Sequence, residues 1–318
     1  MKTNKILNKA RSTKNDEFYT RYEDIEKELQ HYEEHFIGKC VLCNCNDVIY
    51  KNFARFFYRN FKKLGLIKLV CTGYKVDGEH GKVCSYDGKE WTIKMLKGDG
   101  DFRSDECIEL FKEADIVVTN PPFSLFRDFF NILIKYNKEF LIIGNGNAIT
   151  YKEVFPYIME NKVWLGITMR GCQQSIFIVD ENYNDSNTKV RECDGEMKYS
   201  TIVNSSAWFT NLEHNEHYKK LDINKTYISE NYPKYDNYDA INVNKVCDIP
   251  CDYDGVMGVP ISFLGKYSPT QFEILDARDI ALNPKQKNKD SFLIKDADSS
   301  INGKPVYARI CIRKRTIK

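Results

Sequence analysis

The sequence predicts an α/β fold built on a mostly parallel sheet. Between Lys39 and Thr168, short apolar runs alternate with amphipathic segments. Strands that alternate with helices form βαβ units, and their helices cover both faces of a parallel sheet. The 318 residues suffice for one large domain or two moderate ones.

Seven apolar runs are predicted as strands of this sheet. They are KCVLC (39–43), IKLVC (67–71), DIVVT (115–119), FLIIG (140–144), VWLGIT (163–168), Ser175–Val179 and Ala207–Leu212, the last of which closes the sheet. Residues 83–96 are predicted as a β-hairpin that turns at Asp87-Gly88, because Asp-Gly favours tight two-residue turns.

Four amphipathic segments are predicted as helices. They are Asn52–Leu64, Asp105–Lys112 capped by Ser104, a helix that Ser124 opens and that carries Phe126 and Phe130, and Tyr151–Glu160. Thr150 and Glu153 have the spacing of a capping box for the last of these, and Pro156 kinks or shortens it.

Beyond residue 213 the pattern changes. The chain becomes rich in Tyr, Asn, Asp and Pro and shows little helical periodicity. We therefore predict an α/β domain over residues 1–213 and a smaller, irregular second region over residues 214–318.

Composition excludes several classes of protein. No apolar run approaches the roughly 18–20 residues that span a bilayer, and residues 1–14 lack the apolar core of a signal peptide. The eleven cysteines are odd in number and irregularly spaced, which indicates reduced thiols and a cytoplasmic location. Membrane proteins, small secreted proteins and disordered chains are therefore not expected.

The net charge of +2 hides an uneven distribution of charge. Three basic runs contain no acidic residue: residues 1–14, with Lys9, Arg11 and Lys14 among their cations, residues 51–68 and residues 309–318. Local basic patches on a neutral protein suit a polyanion that touches one face. The alternative is that each run is ordinary solvated surface.

Asn120-Pro121-Pro122-Phe123 is the sharpest motif and directly follows the predicted strand 115–119. Ligands bind beyond the carboxyl ends of parallel strands, which is where this motif falls. The prolines remove two N–H donors and stiffen the turn, so the Asn120 side-chain oxygen and the Pro121 carbonyl become adjacent acceptors. Together they could hold an exocyclic amino group, while Phe123 offers a face on which a base stacks. The alternative is a purely structural turn.

Two further turns are candidates for binding a nucleotide-like cofactor. Cys43-Asn44-Cys45-Asn46-Asp47 follows the first predicted strand, where such a cofactor lies in parallel sheets, although it lacks the usual glycines. In Gly98-Asp99-Gly100-Asp101-Phe102, the carboxylates of Asp99 and Asp101 could accept bonds from an adenine amino group or a ribose, and Phe102 could stack on the purine. An exposed turn is the alternative for the latter.

A metal site is the competing interpretation of the cysteines. Cys40, Cys43 and Cys45 lie close in sequence, and Cys247 and Cys251 could complete a site. The spacings match no standard zinc module, so no metal is predicted.

The motifs resemble those of amino-group DNA methyltransferases of the γ arrangement. Phe-Tyr-Thr precedes the strand 39–43, Asp-Phe follows the hairpin 83–96 and Asn-Pro-Pro-Phe follows the strand 115–119, which is the order of the motifs in that family. The segments DEFYT (16–20), CNCND (43–47), GDGDFRS (98–104), DIVVTNPPFSLF (115–126), ITYKEVF (149–155), YPKYDNYDAINVNK (232–245) and YDGVMGVPISFL (253–264) resemble the EcoRI-type adenine-specific enzymes over nearly the whole chain.

This resemblance implies an S-adenosylmethionine-dependent enzyme that methylates N6 of adenine in duplex DNA. It implies a Rossmann-like methyltransferase sheet in residues 1–213 and a target-recognition region in residues 214–318. Asn120 and Pro121 would hold the target amino group, and Phe123 would stack on the flipped base. The cofactor would contact Asp101 and Phe102 and would lie against residues 18–20 (Phe18, Tyr19, Thr20) and the turn 44–47 (Asn44, Cys45, Asp47).

The predicted partner is double-stranded DNA. Lys9, Arg11 and Lys14 of the basic arm (residues 1–14) are expected to clamp phosphates, and Lys234, Asn237, Asn242, Asn244 and Lys245 to reach base edges or phosphates. An enzyme that modifies one base per visit has no need to be a dimer. We therefore expect a monomer without an obligate protein partner.

Several alternatives stay open at this point. The motif serves any planar amino group, so RNA adenine and a protein glutamine amide are rival substrates, and a non-catalytic binding protein is a third possibility. The resemblance suggests GAATTC as the recognised sequence and a type II restriction-modification system as the setting.

Overall fold

The computed structural model describes residues 18–45, 51–74, 80–170, 173–183, 185–287, 291–295 and 299–315. The chain is a mixed α/β protein with two compact units. The first comprises Met1–Ala148 and Leu165–His214, and the second comprises Ile149–Trp164 and Asn215–Lys318. The second unit thus takes in residues 149–164 besides the C-terminal part of the chain.

A large sheet of eleven strands forms the centre of the first unit. Its strands are β1 (Tyr19–Thr20), β2 (Cys40–Cys43), β3 (Lys68–Gly73), β4 (Lys82–Tyr86), β5 (Trp91–Met95), β6 (Ile116–Thr119), β7 (Glu139–Asn145), β8 (Trp164–Leu165), β9 (Gln173–Ile178), β10 (Lys189–Cys193) and β11 (Glu196–Thr210). The order is β1-β9-β11-β7-β6-β2-β3-β4-β5, and β8 and β10 each pair with β11.

The four central strands β7, β6, β2 and β3 are parallel. The chain runs outward from β2 to β3 and later returns to the other side of β2 at β6, so the direction of winding reverses between β2 and β6. Continuous apolar sequence forms these strands because both faces are buried, as at Val41 and Val117.

The prediction of a mostly parallel sheet is correct only for this centre. The hairpin β4–β5 adds two antiparallel strands beyond β3, and β11, β9 and β1 add antiparallel strands beyond β7. The predicted strand 207–212 is therefore the end of the long β11, which lies inside the sheet and does not close it. The predicted strand 163–168 is reduced to the two residues of β8.

The helices of the first unit are α1 (Tyr22–Leu29), α2 (Asn52–Arg59), α3 (Asp105–Glu113) and α4 (Phe126–Lys135). The predicted cap of α3 is confirmed, since Ser104 Oγ accepts from the Cys107 amide at 3.4 Å. α2 ends five residues earlier than predicted, and its residues Phe53 and Phe57 are fully buried. Ser124 does not open α4, because it lies in a 3₁₀ turn before the helix.

The second unit contains a four-stranded sheet and a two-stranded sheet. Its elements are α5 (Phe155–Met159), β12 (Ile241–Asn242), β13 (Met257–Pro260), β14 (Phe272–Leu275), α6 (Pro284–Lys287), β15 (Ser300–Ile301), β16 (Lys304–Pro305) and β17 (Arg309–Lys314). The capping-box prediction is wrong: α5 begins at Phe155 with Pro156 in its first turn, where proline fits without losing a hydrogen bond.

None of the described helices has the length and apolar character that a membrane crossing needs.

Candidate active site

The Asn120-Pro121-Pro122-Phe123 motif lies at the carboxyl end of β6, next to the carboxyl end of β2. This is the point where the winding of the sheet reverses, the usual ligand-binding position of open α/β sheets. Pro122 leads into a 3₁₀ turn that begins at Phe123, and its carbonyl accepts from the Leu125 amide at 2.9 Å. The motif is thus a stiff connection between a buried strand and α4.

The side-chain amide of Asn120 forms hydrogen bonds through its nitrogen only, within the described residues. Its Nδ2 donates to the Phe18 carbonyl at 2.7 Å and to Thr20 Oγ1 at 3.3 Å. Its Oδ1 is buried and has no hydrogen-bond partner within the part of the chain that the structure describes. A buried acceptor without a partner costs free energy, about 1–3 kcal/mol. The arrangement therefore leaves one oriented acceptor available to a donor from a ligand.

Phe18, whose carbonyl accepts from Asn120, belongs to a group of four rings that we call the aromatic cluster: Phe18, Phe123, Phe177 and Tyr183. The Phe18 ring lies 5.3 Å from Phe123, 5.7 Å from Phe177 and 5.9 Å from Tyr183, measured between ring centroids. Phe177 is fully buried and Phe123 is 8% exposed. Aromatic rings near an unpartnered buried acceptor suit a planar heterocycle that carries an amino group.

The turn after β2 is joined directly to β6. Thr119 Oγ1 donates to the Asn44 carbonyl, and Asn44 is fully buried. Cys45, the next residue, has a φ of +57°, a conformation that glycine usually supplies. Cys45 thus takes the left-handed backbone conformation that a glycine usually supplies in such a turn. Asp47, the last predicted cofactor residue of this turn, lies outside the described residues.

The turn 98–102 packs onto the end of β3. Gly100 has a φ of +86°, and a Cβ there would collide with the carbonyl of Gly73, the last residue of β3. A Cβ on Gly81 would lie 2.7 Å from the Asp99 carbonyl oxygen. Glycine is therefore required for the close approach of these backbones. β3 neighbours β2, so this turn lies at the same edge of the sheet as Asn44 and Asn120.

Asp101 and Phe102 have partners within the first unit. The Asp101 carboxylate forms a two-pronged ion pair with Arg103, with Nη2 at 2.6 Å and Nε at 2.9 Å. The hydrogen bond from Arg103 lowers the pKa of Asp101, so its carboxylate is ionised. Phe102 is 4% exposed and meets Phe129 edge-on at 5.0 Å. A ligand would share Asp101 with Arg103.

The residues predicted to contact DNA from the second unit fall into two groups. Lys234, Asn244 and Lys245 are exposed, and their contact with DNA stays a prediction. Asn242 is 4% exposed; its Oδ1 accepts from the Tyr235 hydroxyl and its Nδ2 donates to Asn244 Oδ1, both at 2.8 Å. Contact between Asn242 and a base requires these bonds to open.

Asn237 is half-buried, and its Nδ2 lies 3.4 Å from Ser300 Oγ. The basic-arm residues Lys9, Arg11 and Lys14 lie outside the described residues.

In the described ranges, which begin at residue 18 and end at residue 315 with gaps, no three His, Cys, Asp or Glu side chains form a group that could hold a metal ion. Burial raises the pKa of Cys40 to about 11 and that of Cys43 well above its usual value, so both are protonated thiols. The absence of a metal in the working protein remains a prediction.

Two members of the aromatic cluster, Phe177 and Tyr183, were not identified from the sequence. Neither were Asn52 and Asp194, the polar residues near Thr20. Phe177 reads as an ordinary core residue of β9 and becomes part of the cluster only because β1 pairs with β9, with Thr20 opposite Phe177. No local signal identifies such a contact between distant parts of a chain.

Comparisons with known proteins show which family the chain resembles over its whole length. The family model described as adenine-specific methyltransferase EcoRI matches residues 6–315. The chain is 47% identical to the type II methyltransferase M.EcoRI of Escherichia coli, over 99% of this chain and 98% of the relative. It is 40% identical to the type II methyltransferase M.MgeORF184P of Mycoplasma genitalium, over 98% of this chain and 99% of that one.

A third relative is the type II methyltransferase M.MpnI of Mycoplasma pneumoniae, with 39% identity over 97% of this chain and 98% of its own length. No solved structure matches the chain.

Proposed function

The chain belongs to the EcoRI family of adenine-specific methyltransferases, and from this premise we propose that it transfers a methyl group from S-adenosylmethionine to N6 of an adenine flipped out of duplex DNA. Its relatives are type II methyltransferases, so we place it as the modification enzyme of a restriction-modification system. The observation that carries the proposal is the buried Asn120 Oδ1, oriented by its amide and available as an acceptor.

Asn120 Oδ1 and the Pro121 carbonyl each accept one N–H of the adenine amino group. This draws the nitrogen lone pair out of conjugation with the ring and aims it at an electrophile. The aromatic cluster holds the base, with Phe123 as the stacking face. A base inside a duplex cannot reach such a site, so it is extruded at a cost of a few kcal/mol.

No basic side chain is required for this chemistry. The nitrogen becomes acidic once it carries the methyl group and releases its proton to water late in the reaction. Most of the acceleration comes from holding two reactants in attack geometry, which supplies roughly 7–11 kcal/mol. The stiff strand-to-helix connection that carries Asn120 suits this role.

The turns at the ends of β2 and β3 fit a nucleoside-containing cofactor. They lie at the edge where the winding reverses, and the glycine-tight turn 98–102 brings its carboxylates there. We propose that Asn44, Cys45, Asp47, Asp99, Asp101 and Phe102 hold the nucleoside end and that residues 18–20 flank the methionine end. S-adenosylmethionine bound there supplies the methyl carbon and leaves as S-adenosylhomocysteine.

We further propose that the four parallel strands are the core of a Rossmann-like methyltransferase sheet and that the second unit is the target-recognition region. Lys234, Asn237, Asn242, Asn244 and Lys245 are its candidate DNA contacts, and Lys9, Arg11 and Lys14 contact phosphates. The enzyme needs no second copy for a single methyl transfer. Its described cysteines are free thiols, as the reducing cytoplasm maintains.

The test is transfer of tritium from methyl-labelled S-adenosylmethionine to duplex DNA, single-stranded RNA and a mixed protein extract. The wild type and Asn120→Ala are compared, with Asn60→Ala as a matched control. The Asn60 amide bonds only to the Phe56 carbonyl of its own helix in the described residues. We expect label in duplex DNA with the wild type and with Asn60→Ala, and none with Asn120→Ala. Label in RNA or protein but not in DNA overturns the assigned substrate.

A further inference from the structure

Both hydrogen-bond partners of the Asn120 amide lie on residues 18–20, which have little backbone support. β1 contains only Tyr19 and Thr20 and pairs with β9 at the end of the sheet. A two-residue edge strand makes too few ladder bonds to hold its own position. Side-chain contacts therefore also hold the partners that orient Asn120.

Asn52, the first residue of α2, supplies this contact. Its Nδ2 donates to the Thr20 carbonyl at 2.8 Å and to Asp194 Oδ2 at 3.0 Å. The other oxygen of Asp194 accepts from the Glu23 amide at the start of α1, at 3.3 Å. The first turns of α1 and α2 thus bind one carboxylate, which lies 171 residues from Glu23 in sequence, and Asn52 links it to the end of β1.

A tight hairpin turn fixes the backbone conformation of Asp194. The residue lies in the two-residue turn between β10 and β11, where Asp194 and Gly195 have φ values of +55° and +79°. Positive φ at both positions is the geometry of the tight hairpin turn that Asp-Gly favours. The carboxylate is half-buried and makes charge-assisted bonds. Lys51, the residue before α2, adds a second contact to β1, with its Nζ 3.4 Å from the centroid of the Tyr19 ring.

We propose that Asn52 and Asp194 are positioning residues for methyl transfer. Asp194 fixes the Asn52 amide, Asn52 fixes the Thr20 carbonyl, and Thr20 and Phe18 in turn fix Asn120 so that its Oδ1 faces the target amino group. The proposal rests on the proposed function, because it gives Asn120 the task of holding that group. A displacement of about 1 Å at a reacting position can cost 10²-fold in rate.

The first experiment compares Asn52→Ala with Asn60→Ala. Both remove an asparagine of the α2 region whose amide binds a backbone carbonyl, at 2.8 Å and 2.9 Å, but only Asn52 touches β1. The single-turnover methylation rate is measured on duplex DNA at saturating DNA and S-adenosylmethionine and normalised to the folded fraction. We expect Asn52→Ala to lose about 10–10²-fold in rate, with both dissociation constants within about threefold of the wild type. We expect Asn60→Ala to match the wild type.

A reversed pair separates positioning from simple stabilisation. In the double variant Asn52→Asp, Asp194→Asn, the side chains can still bond to each other, but the new carboxylate at 52 cannot donate to the Thr20 carbonyl. We expect the melting temperature to recover relative to Asn52→Asp alone, while the methylation rate stays low. A rate that recovers together with the melting temperature shows that the pair only ties the helices to the hairpin, and this overturns the proposal.

The outcomes distinguish this proposal from the proposed function. If the wild type methylates duplex DNA and Asn120→Ala does not, the proposed function holds. If Asn52→Ala then keeps the rate of Asn60→Ala, the positioning role alone is wrong. If the wild type transfers no methyl group to DNA, the proposed function fails and the positioning role fails with it.

Discussion

Asn120 and Phe18, 102 positions apart in sequence, are joined by a 2.7 Å hydrogen bond from the Asn120 side-chain amide to the Phe18 carbonyl. This bond fixes the orientation of the side-chain amide. The nitrogen is used inside the protein, and the oxygen remains as a buried acceptor. The site is therefore prepared for a donor, such as an amino group, before any substrate arrives.

The first prediction concerns Asn120→Asp. A carboxylate cannot donate to the Phe18 carbonyl, so two acceptors would face each other and the side chain would turn away. We expect a loss of about 10²–10³-fold in the single-turnover methylation rate, similar to the loss of one preorganised hydrogen bond at other active sites. Cofactor affinity, measured by isothermal titration calorimetry, should stay within about threefold of the wild type. A rate within about a factor of three of the wild type contradicts the catalytic role that we propose for Asn120.

The second prediction concerns the stacking face. Phe123→Leu keeps most of the volume, so the expected loss of stability is below about 1.5 kcal/mol. It removes a ring that contributes about 1–3 kcal/mol per stacked base. We expect a 2-aminopurine placed at the target position to show less extrusion fluorescence. On duplex DNA with adenine at that position, we expect methylation to be slowed about 10-fold or more. Phe130→Leu, a change in a buried ring of α4 outside the aromatic cluster, is the control. Equal extrusion in both variants contradicts the assigned role.

The third prediction concerns a buried carboxylate that supports the fold. Glu28 on α1 is fully buried and accepts from the amides of Ile167 and Thr168, both at 2.7 Å, from Thr168 Oγ1 at 2.6 Å and from the Tyr32 hydroxyl at 2.9 Å. Glu28→Gln places an NH₂ group against these donors. We expect a loss of about 3 kcal/mol in the free energy of unfolding, measured by urea denaturation. A loss below about 0.5 kcal/mol, the range of ordinary surface substitutions, disagrees with this account.

The fourth prediction concerns the basic arm. Removal of residues 1–14 deletes five cations and no acid. We expect weaker binding to duplex DNA and a shallower dependence of log K on log salt, with a slope change of about 0.9 for each phosphate that the arm neutralises in the intact protein. Cofactor affinity should not change. An unaltered salt slope shows that the arm does not touch the phosphates.

Local signals predicted much of the first unit. Each central strand is a continuous apolar run, and the Asp87-Gly88 hairpin and the Ser104 cap rest on chemistry within a few residues. The position of the Asn120 motif at the carboxyl end of a strand follows from its place in the sequence, directly after the predicted strand 115–119. These features need no knowledge of distant parts of the chain.

The remaining features depend on contacts that are distant in sequence. The Asp194-Gly195 turn carries the same signal as Asp87-Gly88, yet β10 was missed because Lys189–Cys193 is polar and little buried. Thr150 and Glu153 match a capping box by spacing, but the chain forms a 3₁₀ turn over 146–150 and delays the helix to Phe155. The bond between Asn52 and Asp194 joins residues 142 positions apart, which no periodicity reveals.

The most direct test of the central claim is methylation of mixed-sequence plasmid DNA by the purified protein with S-adenosylmethionine, followed by single-molecule sequencing for modified bases. The account predicts N6-methyladenine confined to one short motif, and none with Asn120→Ala. Methylation of cytosine, or no DNA methylation by a folded protein that binds the cofactor, contradicts it.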